Sequence, residues 1–108
     1  MANEFKNATA QNIAVDSGTY TTLYTTPAGK ATVLLELDIA NTHASSDITV
    51  SVKLDSIFLV KAAPVPLGGT LKAVSGQKVV LEENEVLTVA ASVASSADAI
   101  CSLLEDVN

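Results

Sequence analysis

The sequence predicts an all-β fold, a single antiparallel β-sandwich or jelly roll of about eight or nine short strands. Apolar residues recur at every second position through much of the chain, the spacing that puts them on one face of a strand. No long segment carries helical periodicity with caps, and turn-forming clusters of Gly, Pro, Asn, Asp and Ser interrupt the pattern every 8–12 residues or so. Thr and Val, whose branched side chains favour extended backbone, are abundant.

Residues 1–10 are polar and weakly patterned, and are expected to form an arm that orders only against a neighbour; residues 11–108 are expected to be the sandwich domain. Strands are predicted near Gln11 to Val15 and Thr19 to Tyr24, and Pro27-Ala28-Gly29 ends the second. In the next strand Val33, Leu35, Leu37 and Ile39 alternate with Thr32, Leu34, Glu36 and Asp38, which leaves Leu34 as an apolar misfit on the polar face. The clearest strand puts Ile48, Val50, Val52 and Leu54 inward, with Thr49, Ser51, Lys53 and Asp55 outward. Asp55-Ser56 reads as a tight hairpin turn into a strand from Ile57 to Ala62. Pro64-Val65-Pro66-Leu67-Gly68-Gly69 lacks the amide donors of a central strand and is expected to be a rim loop or edge crossing. Further strands are expected at Thr70 to Val74, Lys78 to Leu81, Val86 to Ser92 and Ala97 to Leu104. Ser75-Gly76-Gln77 and Glu83-Asn84-Glu85 are expected to close hairpins between the first three of these.

At 108 residues the chain has room for one compact core, stable without metal or disulfide staples. The single cysteine, Cys101, has no partner for an internal disulfide and is expected to be a buried, inert thiol. Six basic against twelve acidic residues give a net charge of −6, which repels nucleic-acid phosphates and anionic membranes, so neither is an expected partner. There is no transmembrane-length apolar stretch and no signal-like pattern at Met1-Ala2-Asn3-Glu4, so synthesis and assembly in the cytosol are expected. The chain is 48% hydrophobic but only 4% aromatic and 17% charged, a balance that burial against other subunits would explain.

The inventory for chemistry is thin, and no catalytic, cofactor-binding or metal-ligating residue is assigned. His43, in Asn41-Thr42-His43-Ala44-Ser45-Ser46-Asp47, reads as a loop histidine, and a zinc site needs more His and Cys than the chain has. Glu82, Glu83 and Glu85 read as a solvated turn; Glu36 and Asp38 mark a wet or salt-bridging face. No hydroxyl sits in a nucleophile elbow, and Gly68-Gly69-Thr70 lacks the lysine and helix of a phosphate loop. Phe5, Tyr20, Tyr24 and Phe58 are expected to pack in the core or in interfaces.

Several segments in order carry a resemblance: Thr22-Leu23-Tyr24-Thr25-Thr26-Pro27-Ala28-Gly29-Lys30, the Leu-rich strand ending Asn41-Thr42, and Pro64-Val65-Pro66-Leu67-Gly68-Gly69. Val80-Leu81-Glu82 and the terminal Ala99-Ile100-Cys101-Ser102-Leu103-Leu104-Glu105 complete the set. From about residue 15 to the end, the chain resembles small β-sandwich virion structural proteins of tailed bacteriophages, including those of cyanobacterial hosts. The resemblance implies a non-enzymatic capsid decoration or cement protein without cofactor. Such a protein is a homo-oligomer, expected as a trimer, that contacts the major capsid protein or other virion proteins. A neck, tail or baseplate component is the alternative within that class; a carbohydrate-binding host-attachment module is the alternative outside it.

Overall fold

A computed structural model describes residues 4–15 and 19–105. These form eight strands and no helix: β1 (Glu4–Ala10), β2 (Thr21–Thr25), β3 (Thr32–Asn41), β4 (Ile48–Leu54), β5 (Ile57–Val65), β6 (Thr70–Leu81), β7 (Val86–Ala91) and β8 (Ala97–Glu105). Two four-stranded antiparallel sheets face each other, one in the order β1-β8-β3-β6 and the other β2-β7-β4-β5. The all-β antiparallel sandwich expected from the sequence is therefore the observed fold.

The strand order is that of a jelly roll. β1 lies beside β8, β2 beside β7, β3 beside β6 and β4 beside β5, with the pairs alternating between the sheets. The chain thus behaves as one long antiparallel hairpin wrapped around a core, and Asp55-Ser56 is its root. Asp55 takes φ 52°, a left-handed conformation that Asp tolerates better than most side chains.

The core is aliphatic. Leu34, Leu37 and Ile39 of β3, Val50 and Val52 of β4, Leu87 and Val89 of β7, and Cys101 and Leu103 of β8 are all buried between the sheets. In β4 the alternation holds as expected, with Ile48, Val50 and Val52 inside; Leu54, next to the turn, is half-buried.

β3 departs from simple alternation, and the departure explains its misfit. Leu34 pairs with Leu103 and Glu36 with Ser102, so β3 carries one extra residue, Leu35, opposite β8. Such a bulge shifts the phase of the strand. Thr32 and Leu34 point inward before it; Leu37, Ile39 and Asn41 point inward after it. Leu34, expected on the polar face, is fully buried, while Val33 and Leu35 are only half-buried.

The predicted hairpin at Ser75-Gly76-Gln77 is absent. Those residues lie within one continuous strand, β6, as an irregularity opposite Leu35 where the register to β3 slips. Gly76 at φ 96° and Lys78 at φ 52° supply the left-handed backbone the slip requires. Glu83-Asn84-Glu85 is a turn, with Asn84 at φ 66°, but it joins strands in different sheets and closes no hairpin.

Pro64 is the last but one residue of β5 and pairs with Thr49, which it can do because β5 is a sheet edge; Pro66 to Gly69 then cross to the other sheet. Where β5 bulges at Ala62 (φ 51°), the amide donates to Oγ of buried Ser51 at 2.9 Å, so a side-chain hydroxyl completes the ladder.

Two N-terminal expectations change. Residues 4–10, expected in an arm, form β1 in unbroken register with β8; residues 1–3 lie outside the described residues. Gln11 to Val15, expected as a strand, is a connection between the sheets. Ile13 plugs the core there, its N–H donating to the Ala97 carbonyl (3.2 Å) and its carbonyl accepting from Ser95 (3.1 Å). Val15 makes only an isolated parallel bridge to Ala91.

Candidate functional site

The polar residues that drew attention in the sequence mostly fasten loops. His43 is half-buried, and its Nδ1 accepts the N–H groups of Ser45 and Ser46, each at 3.0 Å, while its own N–H donates to Asn41 Oδ1 at 2.8 Å. Asn41 Nδ2 in turn donates to the carbonyls of Ser46 and Val65. The imidazole is thus a bracket inside the β3–β4 connection, with the ring nitrogen that a base would use already engaged. Glu83 accepts the Gly29 N–H, and Glu85 accepts the Glu82 N–H at 2.7 Å, so those carboxylates pin the turns that carry them. Cys101 is buried on the inner face of β8, and desolvation pushes its thiol up to about 11, far from the thiolate a nucleophile needs.

One end of the sandwich is latched by a charged network. Tyr24 of β2 donates its hydroxyl proton to Glu105 of β8 (2.5 Å) and lies 3.0 Å from the Thr32 hydroxyl of β3, joining the two sheets. Lys6 of β1 meets the same carboxylate at 2.8 Å. The ion pair with Lys6, then the Tyr24 hydrogen bond, hold the Glu105 carboxyl below the usual carboxylate range. Burial, helped by Glu105, pushes the Tyr24 phenol up to about 12.

The outer face of the β1-β8-β3-β6 sheet is where side chains are left over. Register sets Phe5, Leu104, Val33 and Val80 side by side in one row across all four strands. Phe5 is 80% exposed and Val80 61%. Two rows along lie Thr9, Ile100, Asp38 and Lys72. Here Lys72 sits 3.9 Å from Glu36 and 3.8 Å from Asp38, the salt-bridging face expected of those two acids. A shallow concavity of about 630 Å³ runs over Thr9, Asp38, Thr70, Asp98 and Ile100. Among the described residues no three His, Cys, Asp or Glu side chains gather as metal ligands would.

The outer face of the other sheet carries the remaining aromatics. Lys53 Nζ stands 4.4 Å from the centroid of Tyr20 and 5.0 Å from that of Phe58, with Lys61 at 5.3 Å from Phe58. Phe58 and Tyr20 are therefore surface rings with ammonium groups laid over them. Sequence reasoning missed both this cluster and the apolar row, because each depends on which strands become neighbours. No described helix is long and apolar enough to cross a membrane.

No family model matches the chain, and no curated protein matches it. Among solved structures it is similar to a chain of the T13 IBDV viral particle, at 10% identity and a TM-score of 0.36. The match covers 95% of this chain and spans 30% of the length of that one.

Proposed function

We propose that this chain is a non-enzymatic bacteriophage virion structural protein, incorporated as a capsid decoration or cement protein that stabilises the shell through subunit contacts. The observation that carries the reading is the apolar row of Phe5, Leu104, Val33 and Val80 on an outer sheet face, with Phe5 and Val80 at its two ends exposed. The jelly-roll strand order supports it by analogy, being shared by viral capsid domains as well as lectins and cupins. So does the ordered set of segments that resembles phage virion proteins.

Carbohydrate binding is less well supported. The Tyr20 ring is capped by Lys53, and Tyr24 is partly buried against the core, so neither tyrosine offers an open stacking platform. The deciding experiment is quantitative mass spectrometry of the purified virion. A decoration protein is present in hundreds of copies, and stripping it lowers the temperature at which the shell releases its DNA. About six or twelve copies, the number one symmetric vertex holds, would place it in the neck, tail or baseplate. Absence from the particle overturns the proposal.

A further inference from the structure

Four strands form sheet edges: β1, β2, β5 and β6. Unpaired edges invite other strands, and three of these carry recognised protection. β5 has Lys61, the Ala62 bulge and Pro64. β6 has its register slips with Gly76 and Lys78 at positive φ. β2 is five residues long and irregular between Thr22 and Tyr24.

β1 lacks the bulges, the proline and the short irregular form of the other three. Its seven residues keep one unbroken register to β8, with no Pro, no Gly and no positive φ. The edge devices present are two charged side chains at its start, Glu4 and Lys6, and the Lys6 ammonium is held by Glu105. Among the described residues, β8 is the only strand hydrogen-bonded to β1.

We propose that β1 is the docking edge for a second copy of this chain, the two β1 strands pairing antiparallel about a two-fold axis through Asn7. An isologous antiparallel pair must place one residue opposite itself. An axis through Lys6 sets two ammonium groups face to face, and one through Phe5 engages only Glu4 to Lys6 of the described strand. The axis through Asn7 engages all seven residues: Glu4 faces Ala10, Phe5 faces Thr9 and Lys6 faces Ala8, with no like charges opposed. It is also self-complementary for apolar cover. Each Phe5 ring stands on the partner's Thr9, whose neighbour in the row is Ile100, 45% exposed. Phe5 and Ile100, two of the exposed apolar side chains of this face, thereby shield each other reciprocally, and two four-stranded sheets become one of eight. This edge supports a two-fold pair where the sequence resemblance implied a trimer.

The pairing does not depend on which particle the protein serves, and copy number on the virion tests that reading separately. A seven-residue edge contact lies at the small end of specific interfaces, below about 1,200 Å², so self-association is read by sedimentation at about 100 µM. The wild-type chain is expected to be dimeric there. Asn7→Lys and Asn7→Asp, both changes at an exposed position, are each expected to be monomeric with unchanged circular dichroism, and an equimolar mixture is expected to restore the dimer. A monomeric wild-type chain overturns the proposal. So does a dimer that survives both substitutions, or a mixture that stays monomeric. Should either variant fold poorly, isotope-filtered contacts between Phe5 and Thr9 of differently labelled wild-type copies decide the register, and their absence in a dimer refutes it.

Discussion

Replacing Leu34 by Ala and Leu35 by Ala in separate variants tests the bulge in β3 directly, because simple alternation and the observed register predict opposite outcomes. Leu34 is fully buried among core side chains of both sheets, so truncation removes its methyl groups from a packed interior and leaves a cavity. Such Leu→Ala changes cost about 2–5 kcal/mol. Leu35 is half-buried on the outer face at the bulge, where the removed carbons already touch water in part; a cost of about 1 kcal/mol is expected. With a urea slope of about 1.5–2 kcal/mol/M for a domain of this size, Leu34→Ala lowers the unfolding midpoint by about 1–3 M and Leu35→Ala by about 0.5 M. Equilibrium urea denaturation followed by circular dichroism at 25 °C reads both. If Leu35→Ala is the more damaging, the phase of β3 is that of uninterrupted alternation and the reasoning from the bulge is wrong.

Two further outcomes follow from single contacts. Glu105 has its folded-state pKa depressed by Lys6 and Tyr24, so the stability it contributes is present above the unfolded carboxylate value of about 4.3 and is lost as pH falls through the lower folded value. Tyr24, raised to about 12, keeps its proton in the fold, so stability also falls as pH rises from about 10, where the unfolded phenol ionises, toward 12. Urea midpoints across both ranges should fall at each end in the wild type, and Glu105→Gln should flatten the acid limb; an unchanged acid limb contradicts the latch. Ser51→Ala strips the Ala62 amide of its acceptor inside the β5 bulge and should cost about 1–3 kcal/mol, more than an ordinary exposed serine change. A midpoint equal to the wild type would mean that water or a shifted β5 takes over the bond.

What the sequence made legible was local. Alternation in β4 and the tight turn at Asp55-Ser56 are properties of a few neighbouring residues, and they appear in the structure where expected, while the loop expected from Pro64 begins at Pro66. What it hid was pairing. A Gly with positive φ serves equally in a hairpin turn and in a bulge, and Gly76 became a bulge because β3 lies alongside the whole length of β6. Asn84 makes a turn in either case; whether that turn closes a hairpin or crosses between sheets depends on β7 joining β2 and β4 far away in the chain. Residues 4–10 have too little apolar content to announce a strand, and what holds them is the ladder to β8, a partner about ninety residues on. Ile13 and Val15 imitate strand alternation, yet one is a core plug and the other a single bridge. The candidate surface was hidden for the same reason. Phe5, Val33, Val80 and Leu104 are scattered in sequence and become one row only through three registers.

The distribution of aromatic side chains bears on what the fold is for. Rings bury more apolar area per residue than any aliphatic side chain, so a domain with only four of them would gain most by placing them inside. Here the fully buried core is built from Leu, Ile, Val, Ala and Cys, while Phe5 and Phe58 lie on opposite outer faces and Tyr20 shares Lys53 with Phe58. Tyr24 alone turns inward, and it does so to join the sheets through its hydroxyl. The interior is therefore filled without the residues that dominate the energetics of contact between proteins. Phe5 stands on the face that also carries the ion pairs of Lys72 with Glu36 and Asp38, and Phe58 on the face where Lys53 and Lys61 lie over rings. On the proposed reading, such a surface gains by covering its rings, and a partner with a flat sheet face or a free strand edge supplies that cover.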